Sequence, residues 1–216
     1  IHLTKEKVTN LLTDFRAAGI ENILALRGDK VEGKEPCSDF LHASDLIKFI
    51  KDFDALNQDS SEQEFNIIGA CYPEGHPETS SLIDDIKNLK TKVDAGASQL
   101  ISQLFFDNNC FYDFLEKTKI AGINVPIEAG IMPVVNKKQI ERMVTTCGAS
   151  LPQKFVKIMQ KYEHNPEALR DAGIAYAIDQ IIDLAAGDVD GIHLYTMNNP
   201  YVAQKITEAV SGVISV

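Results

Sequence analysis

The amino-acid sequence predicts an α/β fold, a β/α barrel of the TIM type, of which about five strands and their helices are read. Three observations carry this. Helical segments and short apolar segments alternate strictly along the chain, which requires a parallel sheet with crossover helices. The short segments are continuously apolar rather than alternating, as strands are when both faces of a sheet are covered. No GxGxxG run joins a strand to a helix, so a dinucleotide-binding open sheet is the weaker choice.

The elements follow in order. Val8, Leu11, Leu12 and Phe15 repeat at helical spacing after Thr4, a residue suited to cap a helix, and Gly19 ends that segment. A strand over 20–26 comes next. The same unit then returns as helix 44–53, strand 65–70, helix 80–93, strand 99–105, helix 111–119, strand 125–129 and helix 137–147. A long helical stretch over 166–186, a strand over 191–195 and a helix over 200–210 complete the chain. Residues 30–39 and 57–64 read as polar, exposed loops. No composition shift marks a boundary, so residues 1–216 read as one domain.

Composition narrows the function. The net charge of -10 repels phosphate backbones and no basic patch offsets it, which argues against a nucleic-acid partner. No apolar run is long enough to span a bilayer and the N-terminus lacks a signal-like apolar stretch, so a cytoplasmic protein without a membrane partner is expected. Cys37, Cys71, Cys110 and Cys147 are far apart and the five histidines have no ligand spacing, which leaves no metal site to propose. Cys71, inside an apolar run, reads as core.

In a β/α barrel the working residues stand at the C-terminal ends of the strands. Those exits carry Arg27-Gly28-Asp29, then Tyr72-Pro73-Glu74-Gly75-His76, then Gln103 and Asp107, then Glu128 and Gly130, and last Tyr195-Thr196-Met197-Asn198. A glycine between Arg27 and Asp29 lets backbone approach a planar ligand. Along the helix after the second strand, Asp85, Asn88 and Lys92 form a polar stripe beside the apolar stripe of Leu82, Ile86, Leu89 and Val93. Such a stripe either lines a cleft at the barrel rim or is a solvated flank.

Taken together, Ala25-Leu26-Arg27-Gly28-Asp29, Tyr72-Pro73-Glu74-Gly75-His76-Pro77, the run from Asn88 to Ala97, Gln103-Leu104-Phe105-Phe106-Asp107, Gly130-Ile131-Met132-Pro133 and Tyr195-Thr196-Met197-Asn198 resemble, in order, the signatures of the methylenetetrahydrofolate reductase family. The resemblance implies an FAD-binding barrel that takes hydride from NADH or NADPH and passes it, in a ping-pong sequence, to 5,10-methylenetetrahydrofolate. It implies flavin contacts at His2, Arg27, Gly28, Asp29, His42, Ala43, Tyr72, His76, Asp85, Asn88, Lys92 and Tyr195. It further implies a catalytic role for Asp29, and folate or nicotinamide contacts at Asp29, Gln103 and Gln139. A homo-oligomer, or an assembly with a partner subunit, is expected.

The sequence also departs from the family pattern. The family's fold is a (β/α)8 TIM barrel, so the resemblance makes residues 1–216 a single partial catalytic domain, its C-terminal portion with about the last five strands. The glutamate that the family uses as general acid is therefore expected in an N-terminal part absent here. The Cys-containing link after the His-Leu-Thr motif is missing, because Lys5 follows Thr4 directly. His42 stands where a tyrosine is common, Met143 where some members carry an aromatic, and Asn199 where an arginine is associated with the folate tail. Two other readings stay open: a non-catalytic flavin-binding subunit, and another flavin barrel such as a proline dehydrogenase-like oxidoreductase.

Overall fold

The computed structural model describes residues 2–28, 33, 39–57 and 64–214. Asp29, Cys37 and nearly all of the two predicted polar loops lie outside the described residues. Five parallel strands, β1 (Asn22–Leu24), β2 (Asn66–Cys71), β3 (Gln99–Ser102), β4 (Ile127–Ile131) and β5 (Gly191–Leu194), lie side by side in chain order. An in-order parallel sheet with a helix after every strand is the arrangement of a barrel wall, and it separates this fold from a doubly wound sheet, whose order reverses.

Local chemistry explains the helices. α1 (Lys5–Ala17) starts at Thr4, whose hydroxyl accepts from the Lys7 amide, and ends before Gly19 at φ 71°. α2 (Ala43–Asn57) and α3 (Leu82–Asp94) follow β1 and β2, and α3 is capped by Ser81. α4 (Asn108–Ile120), capped by Asp107, follows β3, and α5 (Lys137–Cys147), capped by Asn136, follows β4. α6 (Gln153–Tyr162) is a helix for which the sequence reading has no counterpart. Its Phe155, Ile158 and Met159 do carry the helical spacing, within a short segment rich in lysine and glutamine. α7 (Pro166–Ala186) has Asn165 as cap and Pro166 in its first turn, and α8 (Pro200–Ile214) closes the chain.

Three apolar clusters hold these layers. The largest joins β2 to β4 with α3, α4, α7 and α8 through residues such as Leu100, Phe111, Ile131, Ile181 and Val202. A second packs α1 and α2 on β1 and β2, and there the fully buried Asp54 accepts from the Phe65 amide and from Arg16 at 2.7 Å. The third gathers Phe106, Met132, Met143, Phe155 and Leu169 beyond the strand ends.

The opposite side of the sheet carries a polar row. Asn66 donates to Asn22 at 2.9 Å and to Gln99 at 3.4 Å, Gln99 donates to Glu128 at 2.6 Å, and His193 lies 3.7 Å from the same carboxylate. Gln99 pairs with Ile68, Glu128 with Ile101 and His193 with Gly130, so from β2 onward the row advances two residues at each strand. That stagger is what tilted barrel strands produce for side chains at one height.

Two glycines report how tightly the layers meet. A Cβ on Gly173 of α7 would fall 1.7 Å from the Val134 carbonyl oxygen, whereas one on Gly212 of α8 would meet nothing within 4 Å. Gly173→Ala is therefore expected to destabilise the fold by about 3 kcal/mol or more. Gly212→Ala should stabilise it by roughly 0.5–1 kcal/mol through helix propensity. Denaturant unfolding of both variants checks this; equal midpoints would contradict the packing described.

Candidate active site

The exits of β1 and β2, the start of α2 and one side of α3 enclose a cavity of ≈ 480 Å³. This lies within the range of small-molecule sites. Each wall follows from local structure. Beyond β1 the backbone turns at Gly28 with φ 77°, a conformation that favours glycine, and presents Arg27. Beyond β2 two turns follow one another: the Gly75 amide donates to the Tyr72 carbonyl, and the Thr79 amide to that of His76. They fold the His76 ring edge-on to Tyr72, with centroids 4.6 Å apart.

The α3 wall is the polar stripe. Asp85, Asn88, Thr91 and Lys92 all line the cavity, and Asp85 is only 7% exposed, which excludes a solvated flank. The Lys92 ammonium donates to the Ala70 carbonyl at 2.9 Å and sits 5.5 Å from the centre of the Tyr72 ring. Burial lowers the Lys92 pKa, and the Asp85 carboxylate opposes that. Burial raises the Asp85 pKa against the pull of Lys92 and His76. The two charges thus stabilise each other where neither has bulk water.

Arg27 is paired as well. Its guanidinium donates to both carboxylate oxygens of Glu78, at 2.7 and 3.1 Å, and its Nε to the Gly28 carbonyl at 3.2 Å. His76 accepts the Glu78 amide at Nδ1, 3.0 Å away, so the neutral ring carries its proton on Nε2. The cavity therefore offers two cations, a neutral imidazole donor, a carboxamide and an aromatic wall. That set suits a planar ring bearing anionic groups.

The family model described as methylenetetrahydrofolate reductase matches residues 1–211. The chain belongs to the methylenetetrahydrofolate reductase family. It is 33% identical over 207 residues to the 5,10-methylenetetrahydrofolate reductase of Pectobacterium carotovorum subsp. carotovorum, covering 95% of this chain and 65% of that one. The 5,10-methylenetetrahydrofolate reductase of Escherichia coli (strain K12) is 32% identical, with 95% and 66% covered. Methylenetetrahydrofolate reductase (NADH) 1 of Arabidopsis thaliana is 34% identical, with 89% and 34% covered. The chain thus spans about two thirds of its bacterial relatives and a third of the plant one. A solved structure of an uncharacterized protein from Clostridium thermocellum, which binds two copies of 5-methyl-5,6,7,8-tetrahydrofolic acid, shares the fold at a TM-score of 0.58 and 16% identity, covering 99% of this chain and 91% of that one.

The structure gathers most of the residues that the family resemblance implies as flavin contacts. Arg27, Gly28, His42, Ala43, Tyr72, His76, Asp85, Asn88 and Lys92 share the one cavity. The rest stand elsewhere. Asp29 lies outside the described residues. Both ring nitrogens of His2 are buried with no hydrogen-bond partner among the described residues. Tyr195 donates its hydroxyl to the Ser102 carbonyl at 2.9 Å, and burial pushes its pKa up to about 12. Gln103 and Gln139 turn their side-chain oxygens to the amides of Leu104 and Val135. Met143 is buried in the third core cluster, and the Asn199 side chain accepts from the Val202 amide at the start of α8. Sequence reasoning missed Ser44, Glu78, Thr79 and Thr91 in the cavity lining. Thr91 follows Asn88 by three residues on α3, a spacing that could have revealed it.

His76 links this geometry to pH. Burial, the largest influence, lowers its pKa below the ordinary 6.5. In the window between the lowered folded value and 6.5 the unfolded chain binds the proton more readily, so His76 makes stability rise with pH across that window. Imidazole nitrogen NMR of the folded protein should show a ring titrating below 6.5 with its neutral-state proton on Nε2. A proton on Nδ1 would contradict the contact with the Glu78 amide, and a pKa above 6.5 would contradict the burial of the ring.

Proposed function

We propose that this chain carries the greater part of a flavin-dependent methylenetetrahydrofolate reductase, in which NADH or NADPH reduces FAD and the reduced FAD reduces 5,10-methylenetetrahydrofolate to 5-methyltetrahydrofolate. The observation that carries the reading is the convergence on one cavity of nine residues, from Arg27 to Lys92, that the family resemblance implies as flavin contacts. Their chemistry fits a flavin nucleotide. Gly28 removes a Cβ where a ring must lie close to backbone, Tyr72 and His76 offer an aromatic wall, and Arg27 and Lys92 offer charge to phosphates.

Bound flavin would supply a ring that accepts hydride from a nicotinamide and yields it to a folate. The protein's own groups do the rest. His76 donates from Nε2, while Asn88 both donates and accepts. Asp29 would place a carboxylate where cationic charge develops on the folate. Gln103 and Gln139 each accept one backbone amide at the carbonyl oxygen, so their contribution to folate or nicotinamide would come from the NH2 group and the oxygen's second lone pair.

A closed (β/α)8 barrel belongs to the same proposal, with residues 1–216 as part of one catalytic domain. β1 pairs with β2 alone and β5 with β4 alone among the described residues, and Leu24 at the end of β1 and Leu26 just beyond it are 45% and 50% exposed. Open strand edges and apolar side chains of this kind call for further strands. A cytoplasmic, homo-oligomeric enzyme completes the reading. Among the described residues no helix is long and apolar enough to cross a membrane.

Anaerobic stopped-flow measurement of the two half-reactions tests the proposal. The full-length protein should carry FAD that NADH or NADPH reduces and that methylenetetrahydrofolate reoxidises. Asp29→Asn should keep the flavin but slow reoxidation by folate about a hundredfold, with much less effect on reduction, as loss of one electrostatic contact to developing charge does. A protein that takes up no FAD would refute the reading, and equal slowing of both steps would remove Asp29 from the chemistry.

A further inference from the structure

We propose that Glu78 is a positioning residue of the cavity: its carboxylate holds the Arg27 guanidinium in the wall, while its backbone amide holds His76 by Nδ1. The inference rests on the flavin reading given above. Arg27 leaves β1 and Glu78 leaves β2, 51 residues later, yet the two meet through parallel hydrogen bonds of 2.7 and 3.1 Å. A bidentate guanidinium-carboxylate pair fixes the plane of the guanidinium as well as its place. It uses two of the five N–H donors that a guanidinium carries, and the contact from Nε to the Gly28 carbonyl uses a third.

Stability does not account for this pair. The Glu78 side chain is 44% exposed, so water screens the pair and its contribution to folding is small. The loop that carries Glu78 is shaped by its own contacts, the turn from Tyr72 to Gly75 and the Thr79 amide and hydroxyl on the His76 carbonyl. The carboxylate itself sets the plane of the Arg27 guanidinium. A negative charge among groups that would meet phosphates weakens anion binding unless it returns something, and here it returns a guanidinium held in one orientation. Orientation held in advance lowers the entropy lost on binding. Because the His76 contact uses the Glu78 backbone, substituting the side chain separates the two roles.

The test uses full-length protein freed of flavin and titrated with FAD. Glu78→Ala should weaken FAD binding roughly tenfold, the lower end of what loss of a supporting partner costs at a ligand site. Glu78→Gln, which keeps the side chain's size and one acceptor, should weaken it less. In an Arg27→Ala background, removing Glu78 should add less than about twofold, since the two act as a unit. The His76 nitrogen NMR signature should be unchanged in Glu78→Ala, as the backbone contact survives; this also reports that the loop is folded. FAD binding by Glu78→Ala or Glu78→Gln that equals or exceeds wild type would overturn the positioning role, as would losses that simply add to that of Arg27→Ala. Wild-type protein that takes up no FAD would instead overturn the flavin reading on which the proposal rests.

Discussion

The site depends on a charge placed where the fold leaves little water. Lys92 stands on α3, two turns beyond Asp85, and its ammonium reaches under the rim of the sheet to the Ala70 carbonyl near the end of β2. Tyr72 offers the face of its ring and Asp85 its carboxylate, and these contacts let the ammonium stay in a place that burial disfavours. The same contacts bind α3 to β2, so the wall of the cavity and the packing of the layer are one arrangement. Ile86 and Leu89, on the adjoining face of the helix, join the largest core cluster and keep the stripe aimed at the cavity.

Charge inside the cavity is balanced locally rather than by the protein as a whole. Arg27 faces Glu78 and Lys92 faces Asp85, so each cation has a carboxylate, and the overall charge of -10 does not decide what the cavity accepts. The two pairs differ in character. Asp85 is fixed in a buried helix turn, while Glu78 is on an exposed loop and joins two strand exits.

How much was legible in the sequence follows from which contacts are local. The spacing of Asp85, Asn88 and Lys92 put them on one helix face without any tertiary information, and the motifs after β1 and β2 marked the turns that flank the cavity. The Arg27 to Glu78 pair was not legible, because it depends on the register by which Asn22 meets Asn66 and brings the two exits together. The polar row from Asn22 to His193 was hidden for the same reason: its members lie on different strands and align only through a stagger of two residues at most of the strand pairs. Apolar content placed the strands but overran their ends. β1 stops at Leu24 and β3 at Ser102, where pairing gives way to the exits that build the site, although apolar residues continue beyond both. Gln103 and Gln139 show the remaining gap, since an amide that suits a ligand suits a backbone amide equally well.

The claim that matters most is that a flavin lies in the cavity between the two strand exits and α3. A crystal structure of the full-length protein with FAD bound tests it most directly. The account predicts ring density against Gly28 and Tyr72, with the phosphates within reach of Arg27 or Lys92. Density instead in the second concavity, of ≈ 350 Å³ beside Asp107, Tyr176 and Asp183, with the first filled only by water, would contradict it.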